Sequence, residues 1–232
     1  MASGDNDAEA PALVIKRKTD PDIARRASLA VMLAAVLAAA IWPLGSNRFL
    51  ALHALTAVIG ILMIVTFGGW GVPRSQLLAT FRRNAIVAIL GLGVIVWAFA
   101  QFILPVSAGW AHPAWEIASA GLGEQLTGYI AIDRTRAAFE ATKLALACAV
   151  FAIAVIACRD RKTAGLMLKM IAVIISAYAI SGVIAAGLRM PHSWLIGYEG
   201  PFPAASRRGS GPLVSPNHFA SLCAYGAIAC FA

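Results

Sequence analysis

Charged residues are scarce in this chain, at 13% of its 232 residues, whereas a soluble domain carries about 25%. The charges cluster at short intervals, and long apolar runs separate the clusters. Hydrophobic residues make up 60% of the chain, and its mean hydropathy is +0.77. This pattern excludes an ordinary soluble core and is typical of a helical protein that crosses a membrane several times.

Signatures of soluble catalysis are also missing from the sequence. It has no phosphate-binding P-loop, no GxSxG, no HExxH and no pair of zinc-ligand motifs. Its four cysteines form neither CxxC nor a Cys/His metal spacing and lie in or beside apolar runs, which predicts small apolar side chains. They are Cys148, Cys158, Cys223 and Cys230. The sequence therefore predicts no metal and no cofactor.

Acidic residues are outnumbered, at 11 against 19 Lys and Arg, which gives a net charge of +8. A basic balance often indicates nucleic acid. Here the basic residues stand at the ends of apolar runs, where they act as topology signals and contact anionic lipid head groups. The charge distribution thus predicts membrane lipids as partners and argues against nucleic acid.

The sequence contains six apolar runs, and they predict an all-α, polytopic bundle of about six transmembrane helices. The last run is shorter than the roughly 20 residues that a span needs, and no polar stop follows it. We therefore expect a last helix that is truncated and a chain that is the N-terminal part of a larger protein. The runs cover residues 27–44, 49–70, 85–106, 137–158, 166–188 and 216–232.

The beginning of the chain differs in character from the rest. Residues 1–24 are polar and too poor in apolar side chains to fold alone, which predicts a disordered cytoplasmic tail before a transmembrane domain at 25–232. A signal peptide is the competing interpretation, because the alanines at 38–40 would suit a peptidase. The long polar lead and the closely following second run favour a membrane anchor.

The distribution of Lys and Arg predicts the orientation of the chain. With the N-terminus in the cytoplasm, cytoplasmic segments receive twelve basic residues and the opposite side receives seven. That difference satisfies the positive-inside rule. Both long connections, residues 107–136 and 189–215, are then expected to face away from the cytoplasm.

The second long connection holds several arginines on the side that insertion disfavours. A guanidinium binds phosphate through two parallel hydrogen bonds, so a lipid-linked pyrophosphate is a fitting partner; ordinary lipid phosphates or solvent are the alternative. An amide and an imidazole then open the last helix, where they either cap it or face a polar cavity. The candidate substrate-binding residues are Arg189, His192, Arg207, Arg208, Asn217 and His218.

Polar residues inside the runs have two interpretations. His53 is either an intramembrane functional group or a side chain that reaches the interface. Glu140 and Lys143 lie three residues apart on one helical face, where an interfacial ion pair is the simpler reading. Gly91 and Gly93 are expected to permit close helix packing.

Two stretches resemble the O-antigen ligase family, which also contains O-antigen polymerases. One is residues 112–133, which include HPAW and GYIAID, with the run that follows. The other is GPLVSPNHFA at 211–220, which is similar to the family's G-x-x-x-N-x-N-H-x-A turn into a helix. Ser215 stands where the first Asn of that pattern usually occurs.

The resemblance implies a multi-pass protein of the bacterial inner membrane with roughly a dozen helices. It implies transfer of a glycan from undecaprenyl pyrophosphate to an acceptor outside the cytoplasm, without a metal. In the family, arginines hold the pyrophosphate and a base in a large outer loop of the second half activates the acceptor. The catalytic residues of this chain are thus undefined, and it is expected to be inactive alone. A transporter subunit and a non-catalytic membrane scaffold are the alternatives.

Overall fold

A computed structural model of the chain describes residues 21–41, 49–68, 72–107, 109–188 and 216–231. Within these ranges the chain is all-helical and has no strand, which confirms the predicted fold class. The helices are α1 (Pro21–Ile41), α2 (Phe49–Phe67), α3 (Arg74–Arg83), α4 (Ala85–Ile103), α5 (Pro113–Leu122), α6 (Arg134–Ala157), α7 (Arg161–Gly187) and α8 (Pro216–Phe231).

Five of these helices are long and apolar enough to cross a membrane, namely α1, α2, α4, α6 and α7. Even the 19-residue α2 and α4 are about 28 Å long, close to the roughly 30 Å of a hydrocarbon core. Helix α8 is apolar over a shorter stretch, Ala220–Cys230. The chain is therefore a multi-pass membrane protein.

The core of the bundle lies among α1, α2, α6 and α7. Leu33, Ile59 and Ile153 are almost completely buried there. On α1, Ala30 and Ala34 are fully buried, and their small side chains let the neighbouring helices approach closely. Apolar burial between these four helices gives the fold its centre.

Helix α4 lies at the edge of this core. It packs on α6 and touches α3, yet none of its residues is buried. Large apolar side chains such as Ile86, Ile89 and Leu90 are more than 60% exposed. In a membrane, lipid tails cover such a surface.

The two ends of the bundle are defined here by α1. The proximal end holds the start of α1, helix α3 and the turn between α6 and α7, because Arg26 contacts Asp160 and Gln76 contacts Asp22. The distal end holds the end of α1, the start of α2 and the connection from α4 to α6 with helix α5. Phe49 on α2 stacks on Phe139 at the start of α6, which fixes those two helices at the same end.

The observed boundaries differ from the predicted ones at the ends of the spans. Helix α1 begins at Pro21, earlier than the expected residue 25, and the rest of the predicted tail lies outside the described residues. Proline suits a first helical position, and Asp22 in the first turn favours the helix dipole. Helix α7 begins at Arg161 and not at 166, because charged residues extend a helix beyond the apolar part.

Two of the segments between the predicted spans, the one before α4 and the connection 107–136, each contain a short helix. Helix α3 starts after Pro73 and is followed by its C-cap residue Asn84, whose backbone amide donates to the carbonyls of Thr80 and Phe81. Helix α5 starts after His112 and ends at Gly123, which has a positive φ of 69°. A glycine in that left-handed conformation is a common helix C-terminus.

Candidate functional site at the distal end of the bundle

Most of the predicted substrate-binding residues lie outside the described part of the chain; these are Arg189, His192, Arg207 and Arg208. Asn217 and His218 lie in the first turn of α8, which begins at Pro216 as predicted. The side chain of His218 is exposed. Helix α8 is held to α7 at Gly226, where an added Cβ would lie 3.0 Å from the Cβ of Ile175.

The connection from α4 to α6 is ordered by backbone hydrogen bonds. The amide of Ala131 donates to the Gln101 carbonyl at 3.1 Å, and the amide of Val106 donates to the Gly128 carbonyl at 3.0 Å. At Gly128 a side chain would not fit, because an added Cβ would lie 2.6 Å from the Cβ of Ala111. This connection therefore folds back on the end of α4 as a compact cap.

Helix α5 is set within this cap by local capping. The Nδ1 of His112 accepts a 3.2 Å hydrogen bond from the Ala114 amide, so the neutral ring carries its proton on Nε2. Pro113 and Glu116 occupy the first turn, where a fixed φ and a negative charge both suit a helix start. His112 therefore has a structural role as the residue that caps the start of α5.

An arginine and two aromatic rings form the central feature of the cap. The Nε of Arg134 donates to the Phe102 carbonyl at 2.9 Å, and its guanidinium lies 4.0 Å from the centre of the Tyr129 ring. Tyr129 meets Trp115 edge to face at 5.8 Å. Trp115 in turn donates from Nε1 to the Ala131 carbonyl at 3.2 Å.

These contacts hold the Arg134 guanidinium in place, and the residue remains exposed. No described carboxylate forms an ion pair with it. A guanidinium held in this way is prepared to donate two parallel hydrogen bonds to oxygens of a phosphate or carboxylate. Asp133 stands next to it and caps α6 by accepting the Arg136 amide at 2.9 Å, which moderates the positive potential.

A second polar group lies on α6, close to its start. Lys143 and Glu140 form an ion pair at 2.7 Å, which confirms that the two side chains share one helical face. The Lys143 ammonium also lies 5.0 Å from the centre of the Phe139 ring. Since a helical side chain leans toward the N-terminus of its helix, Lys143 reaches toward the distal interface.

His53 is exposed on α2 beside this group. One ring nitrogen, Nδ1, lies 2.7 Å from the Phe49 carbonyl, and the two rings are 4.1 Å apart. Because a carbonyl only accepts, Nδ1 carries the proton and Nε2 is left as an acceptor when the ring is neutral. This arrangement is compatible with either sequence interpretation of His53.

The glycines of α4 do not behave as expected within the described residues. A Cβ built at Gly91 or at Gly93 meets no atom within 4 Å. The described helices therefore do not use these positions for close packing. At Gly226 of α8, by contrast, an added Cβ would meet the side chain of Ile175 on α7.

The proximal end carries a polar network that sequence reasoning missed. Arg26 pairs with Asp160 at 3.7 Å, and Asp160 accepts 2.8 Å hydrogen bonds from both the amide and the hydroxyl of Thr163. Burial raises the pKa of the Asp160 carboxyl, but the Thr163 hydrogen bonds and the Arg26 charge outweigh it and hold the pKa below its ordinary value. The local signal was the spacing of Asp160 and Thr163 at a helix start.

Metal ligands do not gather in the described ranges, where no three His, Cys, Asp or Glu side chains come together. The four cysteines are free thiols. The chemistry that the described residues offer is anion binding by Arg134 and by the exposed cations at the two ends, without a general acid–base pair.

Comparison with models of known protein families gives no match for this chain. Curated proteins and solved structures give no match either.

Proposed function

We propose that this chain is part of a membrane glycosyltransferase that transfers or polymerises a glycan linked to undecaprenyl pyrophosphate. The proposal follows the resemblance to O-antigen ligases and polymerases in residues 112–133 and 211–220. It assigns the distal end of the bundle to the donor substrate. Substrate contacts are proposed for Arg189, His192, Arg207, Arg208, Asn217 and His218.

The observation that supports the proposal is the compact cap at the distal end, in which hydrogen bonds order the α4–α6 connection. The α4–α6 connection holds Arg134 against Tyr129 at the level where helices end. The end of α7 and the start of α8 belong to the same end in an alternating bundle. A lipid-linked pyrophosphate has its charges at the head-group level, so cations and aromatic rings placed there match both its phosphates and its sugars.

The charge distribution supports a distal end that faces away from the cytoplasm. Among the described residues, the proximal end carries nine basic and two acidic side chains, and the distal end carries three basic and four acidic ones. Under the positive-inside rule, this distribution favours a proximal end in the cytoplasm. We accordingly propose the inner membrane of a bacterium, where a carrier-linked glycan is presented on the opposite face.

The transporter alternative is disfavoured by the placement of charge in the described spans. A transporter is expected to have ionisable groups or broken helices near the midplane. The deepest charged residues here are Lys143 and Lys169, and each lies on the N-terminal side of its helix. Both side chains therefore reach toward the nearer interface.

The proposed function is tested in cells that lack the gene and carry a variant copy. We expect the Arg207→Ala/Arg208→Ala variant to insert normally and to leave the acceptor without glycan, measured by electrophoresis of the acceptor-linked polysaccharide. The matched control is Lys16→Ala/Arg17→Ala, which removes the same charge from the N-terminal segment and is expected to restore transfer. Normal transfer by the Arg207→Ala/Arg208→Ala variant would remove the pyrophosphate assignment.

A further inference from the structure

Six exposed cations on α3 and around the α6–α7 turn have no acidic partner among the described residues. Three lie on α3, and three lie around the turn from α6 to α7. We call this set the proximal cationic surface, and it consists of Arg74, Arg82, Arg83, Arg159, Arg161 and Lys162.

The carboxylates at this end are committed to other contacts. Asp22 pairs with Arg25 at 3.9 Å and accepts from Gln76 at 3.4 Å. Asp160 forms an ion pair with Arg26 and accepts a hydrogen bond from the Thr163 hydroxyl. The proximal cationic surface is therefore not neutralised by the described part of the protein.

Two of these cations also stand where the helix itself disfavours them. Arg161 and Lys162 occupy the first turn of α7, which is the positive end of the helix dipole. A positive side chain at that position destabilises the helix unless an anion lies nearby. Asp160 is the carboxylate at this helix start, but it is already paired with Arg26 and Thr163, which leaves the charges of Arg161 and Lys162 without an acidic partner of their own.

Helix α3 has the form of an interfacial helix. Leu77 is buried against Val72 and Ile156, which ties α3 to α6 and makes its cations continuous with those of the α6–α7 turn. On the neighbouring face Leu78 and Phe81 remain 58% and 42% exposed. Basic side chains interleaved with exposed apolar ones suit a helix that lies in the head-group region of a membrane.

We infer that the proximal cationic surface binds the phosphate groups of acidic phospholipids in the leaflet that faces it. The exposed Leu78 and Phe81 favour a lipid over a soluble anion, because they enter the acyl boundary while the arginines reach the phosphates. This inference does not depend on the proposed function. It would hold for any activity of the distal end.

The experiment compares lipids that differ in charge. The purified full chain in a non-ionic detergent is titrated with phosphatidylglycerol or with phosphatidylcholine, and its thermal unfolding midpoint is measured by intrinsic fluorescence. A ligand that binds the folded state raises this midpoint. We expect phosphatidylglycerol to raise it by several degrees more than phosphatidylcholine does, and high salt to remove most of the difference.

Variants locate the effect on α3. We expect Arg74→Gln/Arg82→Gln/Arg83→Gln to lose at least half of the difference between the two lipids. The control Lys16→Gln/Arg17→Gln/Lys18→Gln removes equal charge from the N-terminal segment and is expected to keep it. The charge-conserving Arg→Lys variant at the three α3 positions is expected to keep most of it as well.

Three results would overturn the inference. They are equal stabilisation of the wild type by both lipids, an undiminished difference in the α3 variant, and an equal loss in the tail variant. If the α3 glutamine variant does not fold, the wild-type comparison in low and high salt decides the question. A difference between the lipids that salt does not reduce then contradicts a phosphate contact.

Discussion

The Tyr178 hydroxyl donates a 2.7 Å hydrogen bond to the carbonyl oxygen of Ala38. Ala38 lies in the last turn of α1, where backbone carbonyls have no partner within the helix. Tyr178 of α7 thus supplies a partner for the end of α1. This hydrogen bond matters more in a membrane than in water, because the hydrocarbon region holds no water that could donate to an unpaired carbonyl.

Replacing Tyr178 with Phe is expected to lower the free energy of unfolding by about 0.5–1.5 kcal/mol. The ring stays in place, and the interhelical hydrogen bond is lost. Chemical denaturation in detergent micelles measures the change. Tyr225→Phe is the control, because the Tyr225 side chain is 67% exposed; an equal effect of both substitutions would contradict this assignment.

Gly226→Ala is expected to weaken the contact between α7 and α8. The added methyl group would collide with Ile175, and such overpacking costs about 1–3 kcal/mol. Gly93→Ala is the matched control, since its Cβ meets open space. Thermal unfolding compares the two. In an Ile175→Ala background Gly226→Ala is expected to cost less than in the wild type, because the colliding side chain is gone; an equal cost in both backgrounds would mean that another contact is responsible.

Acid is expected to destabilise the protein partly through Asp160. Its pKa in the folded chain lies below the ordinary value, so its contribution is complete above about pH 4 and is lost as the pH falls through the lowered pKa. Asp160→Asn removes this contribution, so the variant should be less stable at neutral pH and lose less stability on acidification. Unfolding midpoints between neutral and acidic pH test this, with the exposed Glu124→Gln as control; parallel pH profiles for wild type and Asp160→Asn would contradict it.

The orientation of the bundle can be tested by single cysteines in a chain without its four native ones. Ser107→Cys lies in the exposed distal connection, and Ser75→Cys lies on the exposed side of α3. A membrane-impermeant maleimide should label the first in intact spheroplasts and the second only after the membrane is broken. The reverse pattern would place the N-terminus outside the cytoplasm.

The spans were predictable because hydrophobic length is a property of the local sequence. Phe49 and Ala85 were expected to begin helices, and both do. Helices α3 and α5 were missed because each has only 10 residues, so their apolar faces are too short to stand out. The available signal was the set of residues typical of helix ends, namely Pro73 and His112 before the two helices and Asn84 and Gly123 after them.

Contacts between distant parts of the chain could not be predicted from a single sequence. Arg26 and Asp160 each stand beside an apolar run, and nothing local joins the two. Tyr178 lies within the apolar sequence of α7, and nothing local indicates that its hydroxyl reaches α1. Only the packing of the four core helices brings these groups together. For the candidate site, the sequence suggested residues in 189–218, whereas the fixed guanidinium of Arg134 emerged from the fold.

The most direct test of the proposed function measures the carrier lipid itself. Lipids are extracted from cells with and without the gene, and glycan linked to undecaprenyl pyrophosphate is quantified by mass spectrometry. If the protein consumes this donor, deletion should raise the amount of carrier-linked glycan and remove the glycan from its acceptor, and a plasmid-borne copy should reverse both changes. Unchanged carrier-linked glycan together with normal transfer would contradict the account.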